Sequence, residues 1–161
     1  MEFINTKALT KSQKEEIHNL WNNEYPEKLN HANLSAFEKY LESLSNQSHI
    51  LLIDDNKMIK GWYFHFLREN EKWFAIILDS EIQGKGFGSK ILNLAKETET
   101  ELNGWVIDKS SDKKRNGELY KSPLHFYLKN EFELLPEIRL ELEILSAVKI
   151  KWVKAIAHNL S

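Results

Sequence analysis

The hydrophobic positions of the chain change period several times, and each change marks an element. Residues 2 to 8 suit a short first strand. Thr10 or Ser12 can cap a helix in which Ile17, Leu20 and Trp21 recur at helical spacing, and Pro26 closes that region. Ser35 and Glu38 form a capping-box pattern, and Phe37, Tyr40, Leu41 and Leu44 give a second helix its apolar face. Residues 50 to 53 read as a short strand, and 54 to 57 as a turn. Residues 58 to 68 read as a long strand that turns at 69 to 71 into the apolar run 73 to 78. Further on, 105 to 107 make a buried strand that must run parallel to the fourth, because a helix separates them. Residues 108 to 120 are a polar loop longer than most connections. Ser122 as cap and Pro123 at the first helical position start a last helix with Leu124, Phe126, Tyr127 and Leu128. Residues 138 to 144 and 148 to 153 close the chain as an alternating hairpin.

Between the fourth strand and its following helix lie three glycines at alternate positions, Gly84, Gly86 and Gly88. They allow a tight turn and close backbone approach to a ligand. Ile91, Leu92, Leu94 and Ala95 give the next segment a helical stripe, so its free N–H groups and positive dipole end point into the turn, which is an anion cradle. A P-loop run is absent, and a dinucleotide fingerprint fails because Ser89 stands where the third glycine is needed.

Composition narrows the setting. The chain has 161 residues, 42% hydrophobic, with a formal charge of −2, which fits one domain over 1–161 and gives no case for a nucleic-acid partner. No cysteine is present, so neither a disulfide scaffold nor a thiolate metal site is expected, and no metal is assigned. No apolar run is long enough to span a bilayer and the first residues lack a signal-peptide core, so no membrane partner and a cytoplasmic location are expected.

Gln83-x-x-Gly86-x-Gly88 resembles the pyrophosphate loop of the GNAT superfamily of acetyl-coenzyme A-dependent N-acetyltransferases. The order of elements resembles that fold from end to end, and Tyr127 followed five residues later by Phe132 matches a second family motif. The resemblance implies an α/β fold with a mixed central sheet of about seven strands and about four helices. It implies acetyl-coenzyme A as co-substrate and a small-molecule or peptide amine as acceptor, with a homodimer left open. Gln83, Gly84, Lys85, Gly86, Phe87, Gly88 and Ser89 would hold the pyrophosphate, and the backbone of Ile76, Ile77 and Leu78 the pantetheine arm. Tyr127 would be the general acid, against the plainer reading of a core tyrosine.

The same resemblance exposes departures. The positions that carry a general base in some relatives hold Lys72, Trp73 and Phe74 here. A turn at Asn70 and Glu71 would put His65 opposite Ile76, making it the candidate base on the sheet; the alternative is a histidine packed among aromatics. Asp108, at the end of strand five, is a second candidate. Tyr120 replaces a usual asparagine, and Glu131 a usual glycine, so that helix should end without a left-handed glycine. Lys113, Lys114 and Arg115 are given no role. Trp21, Tyr25 and Tyr40 are expected on the acceptor side. A catalytically weak acyl-coenzyme A sensor is the competing function.

Overall fold

The computed structural model describes residues 1–155, so the last six residues of the expected domain lie outside the described residues. Strands β1 (Glu2–Thr6), β2 (Ser45–Ile53), β3 (Ile59–Arg68), β4 (Glu71–Leu78), β5 (Glu101–Val106), β6 (Glu133–Leu142) and β7 (Leu145–Val153) form one mixed sheet in the order β1-β2-β3-β4-β5-β7-β6. Helices α1 (Lys11–Glu24) and α2 (Leu34–Glu42) cover one face; α3 (Phe87–Thr98) and α4 (Leu124–Lys129) cover the other.

Alternation along β3 and β4 supplies both cores at once. Trp62, Phe64, Trp73 and Ile77 pack under α1 and α2 with Ile17, Trp21 and Phe37. Tyr63 and Phe74 pack under α3 and α4 with Ile91, Leu92 and Tyr127.

Local chemistry moves several expected boundaries. Thr10 rather than Ser12 caps α1, exchanging hydrogen bonds with Gln13 in a capping box. Asn33, not Ser35, caps α2, accepting from the Ala36 N–H at 2.8 Å. β2 starts five residues early because the polar run 45 to 49 still pairs with β3 around a bulge. β6 and β7 also begin earlier than the apolar alternation indicated, at Glu133 and Leu145.

The β3–β4 turn is Glu69-Asn70, both at positive φ, so Arg68 faces Glu71. His65 therefore pairs with Phe74, and it is Tyr63 that lies opposite Ile76. The displacement is two residues, so His65 keeps its face.

β5 meets β4 in parallel at a single bridge, Trp73 to Asn103, and on its other edge pairs antiparallel with β7 along its whole length. The Asn103 side chain pins this vertex by donating to the Lys72 carbonyl at 3.1 Å. Beyond it the two strands part.

Candidate functional site

A cavity of about 750 Å³ runs through the opening between β4 and β5. Its lining joins the glycine turn, the end of β4, α4, and the face of the sheet beneath α1 and α2. That volume suits a small-molecule site.

At one end, Gly84 and Gly86 adopt φ +75 and +86, and a Cβ built on either would meet nothing within 4 Å. The turn is thus both left-handed, which favours glycine, and open. Gly86 is the N-cap of α3 and offers no side-chain cap, so the first N–H groups of the helix face the cavity mouth without an internal partner. Gly88 is different in kind. A Cβ there would lie 2.8 Å from the Phe126 ring, so it permits α3 to pack against α4. Gln83, Gly84, Gly86, Gly88 and Ser89 line the cavity; Lys85 is exposed, and Phe87, half-buried, packs against the edge of the core.

Along the β4 edge, main-chain groups alternate in direction. The Asp79 N–H bonds the Lys60 carbonyl on β3, so the N–H and C=O groups of Ile76 and Leu78 point toward the gap, while those of Ile77 point to β3. The Gln83 side chain donates to the Leu78 carbonyl at 2.9 Å. What is left facing the gap is the Leu78 N–H and both main-chain groups of Ile76.

Tyr127 is buried in the wall, its ring against Phe74 and Phe132. Among the described residues no group hydrogen-bonds its hydroxyl, nor those of Tyr25, Tyr40 and Tyr120, and all four rings line the cavity. These hydroxyls are not sealed in protein, so they open on the cavity space. Burial, and then the nearby Tyr120, raise the Tyr127 hydroxyl well above the ordinary phenol range. Tyr127 is therefore a firmly protonated hydrogen-bond donor at neutral pH.

α4 starts at Leu124 with Pro123 as N-cap, one residue later than expected, and Ser122 Oγ accepts from the Leu124 N–H at 3.3 Å. At its other end there is no glycine, as expected, and Glu131 itself takes the left-handed position at φ +70.

His65 does not line the cavity. Its Nε2 lies 3.3 Å from Glu99, just past the far end of α3, and its Nδ1 lies 2.7 Å from the Tyr63 hydroxyl. A carboxylate can only accept, so Nε2 carries the hydrogen and Nδ1 accepts from Tyr63. Burial outweighs the pull of Glu99 and lowers this histidine to about 4. α3 has 12 residues, so Glu99 stands about 18 Å along the helix from the glycine turn. Asp108 is held by Arg139 through two hydrogen bonds of 2.9 and 3.1 Å, and that guanidinium lowers its carboxyl below the ordinary range.

Sequence reading missed Glu24. It lines the cavity, accepts from the Ser80 N–H at 2.9 Å and Oγ at 2.6 Å, and meets Lys114 Nζ at 3.4 Å. The loop 108 to 120 is thereby laced to the end of α1. Arg115 bonds Asn23, Lys28 meets Asp112, and the Glu27 N–H bonds the Lys113 carbonyl. No group of three or more acidic or histidine side chains suited to a metal ion occurs among the described residues.

No family model matches the sequence, and no curated protein matches it. Solved structures do. An aminoglycoside 6'-N-acetyltransferase complexed with coenzyme A superposes with a TM-score of 0.72 at 11% identity, covering 99% of this chain and 100% of that one. The GNAT fold is the fold of this chain. Spermidine N-acetyltransferase from Vibrio cholerae, in complex with CoA and spermine, gives 0.64 at 17% identity over 94% of this chain and 95% of that one. A GNAT superfamily phosphinothricin acetyltransferase from Sinorhizobium meliloti, in complex with AcCoA, gives 0.64 at 12% identity over 95% and 89%. Among the described residues no helix is long and apolar enough to cross a membrane.

Proposed function

We propose that this GNAT-fold chain transfers an acetyl group from acetyl-coenzyme A to a primary amine. The observation that carries this reading is the single cavity that joins an open glycine turn, an unpaired strand edge and an unpartnered tyrosine hydroxyl. Each matches one part of the donor. The pyrophosphate suits the α3 N-terminus and the free N–H groups of the turn, including Gly86 and Ser89. The amides of the pantetheine arm suit the unpaired groups of Ile76 and Leu78. The three structural neighbours named above are acetyltransferases solved with coenzyme A, AcCoA or CoA, which supports the same ligand here.

The amine enters from the α1–α2 face. Its nitrogen forms the new bond to the thioester carbonyl carbon, the carbon–sulfur bond breaks, and coenzyme A leaves as thiolate. Tyr127 donates a hydrogen bond to that sulfur. With its hydroxyl raised, full proton transfer to a thiolate of ordinary basicity runs uphill, so the donated bond supplies most of the stabilisation. The nitrogen loses its proton to water in the cavity, since His65 and Asp108 stand in other pairings and Glu24 is tied to Ser80 and Lys114.

A binding-only sensor is favoured by the aromatic residues Trp73 and Phe74 at the base positions of β4. It gives no purpose to the second half of the cavity, beyond β4, where an acceptor fits. The test is titration of the protein with acetyl-coenzyme A, followed by thiol release with a panel of amines. Binding with release supports transfer, binding without release supports the sensor, and absence of binding removes both.

A further inference from the structure

The acceptor half of the cavity has an unusual charge pattern for a protein that takes amines. Its walls are aromatic: Trp21 and Tyr40 from the helices, and Phe64, Phe66 and Trp73 from the sheet. Its acid, Glu24, already serves Ser80 and Lys114. Among the described residues the lining charges left unpaired are all cations, Arg68 here and Lys121 and Lys129 toward α4. Arg68 follows Phe64 and Phe66 on the same face of β3, lines the cavity, and lays its guanidinium 5.0 Å from the centre of the Phe66 ring.

Among the described residues no carboxylate pairs with Arg68. The acid opposite it, Glu71, is taken by Lys149, and Glu69 lies in the turn. Tyr40 lines the same channel with its ring 6.4 Å from that of Phe64, and among the described residues its hydroxyl is also unpartnered. A guanidinium and a phenol O–H, both donors and both unused, thus line one aromatic channel.

We infer that the acceptor is an amine with an aromatic or apolar body and an anionic group at its far end. Arg68 and Tyr40 hold the anion, the aromatic walls hold the body, and the amine is presented to the opening between β4 and β5. Polycationic acceptors lack a matching carboxylate and meet Arg68 as a like charge. This rests on the acetyl-transfer reading, and it names the acceptor class for that site.

The probes are 4-(2-aminoethyl)benzoate, 2-phenylethylamine, spermidine and kanamycin. Acetyl-coenzyme A binding is measured first by calorimetry; its absence would overturn the transfer reading and this inference with it. With binding established, kcat/KM for the carboxylated amine should exceed that for 2-phenylethylamine by about tenfold, the range of one charge-assisted hydrogen bond. Arg68→Met keeps the stem that covers Phe66 and removes the charge. It should collapse that ratio through KM rather than kcat, and Arg68→Lys should restore part of it. A larger kcat/KM for spermidine or kanamycin, or the same ratio in Arg68→Met, would overturn this inference alone. If no probe is turned over, quenching of Trp21 and Trp73 by the carboxylated amine decides: no quenching in the acetyl-coenzyme A complex rejects it.

Discussion

The Phe132 N–H donates to the Tyr127 carbonyl at 3.1 Å, and the two rings meet edge to face with centroids 5.5 Å apart. With the Glu131 N–H bonding the Leu128 carbonyl, this is a Schellman closure of α4, with Tyr127 and Phe132 as its hydrophobic pair. The five-residue spacing between them is the spacing such a closure demands, so it fixes the direction of the Tyr127 ring. Glu131 occupies the left-handed position. Glu131→Gly should therefore stabilise the protein by about 1 kcal/mol, raising the thermal midpoint by about 2–4 °C. A lowered midpoint would show that the glutamate side chain contributes more than the strain costs.

Tyr127→Phe retains the ring packing and deletes the hydroxyl. Turnover with an amine for which chemistry limits the rate should fall by about 10²-fold, while acetyl-coenzyme A affinity changes little. Single-turnover kinetics check this, and an unaltered rate would take Tyr127 out of the mechanism.

Gly86 and Gly117 offer a matched pair. Both have φ near +90, at +86 and +89, and a Cβ on either meets open space. Substitution by Ala imposes the same strain of about 1–2 kcal/mol at each. Only Gly86→Ala puts a methyl group in the turn proposed to hold the pyrophosphate. Acetyl-coenzyme A affinity should fall about tenfold or more in Gly86→Ala and hold in Gly117→Ala, read by calorimetry on variants of equal stability; parallel losses would move the pyrophosphate elsewhere.

His49 makes stability depend on pH. It is fully buried, accepts from Trp62 Nε1 at 3.0 Å through Nδ1, and contacts Gln47 at 2.9 Å through Nε2; burial lowers it from 6.5 to about 4. In this window the unfolded chain binds the proton that the folded chain refuses. Stability is then fully present above about pH 6.5 and declines as the pH falls toward 4, by about 3 kcal/mol in all from this group. Urea unfolding at pH 7.5 and 5.0 measures the decline. His49→Leu should start lower and show a shallower one; an identical slope would assign the effect to other groups.

The faces of β3 and β4, the glycine turn and the aromatic cores were legible because alternation and glycine geometry are local. The β3–β4 register was not, since Glu69 and Asn70 both adopt positive φ without a glycine to announce it. The early start of β2 was hidden by the polar run Ser45-Asn46-Gln47-Ser48, and the α2 cap by a Ser35 that mimics one. Glu24 could not be singled out at all. Its partners lie 56 and 90 residues away, and only the fold brings them to it. Arg68 was within reach, because its parity with Phe64 and Phe66 assigns its face once the turn is placed.

The opening between β4 and β5 leaves an interior strand edge, and an unpaired edge is ordinarily a template for another strand. Here Gln83 takes the Leu78 carbonyl and so shortens what remains to a few main-chain groups walled in by α4 and β5. So few main-chain groups give little hold to a further polypeptide strand and match a thin chain bearing its own amides. In the proposed function the donor would fill this place like a removable eighth strand: amide exchange at Ile76 and Leu78 should slow when it binds and recover when it departs.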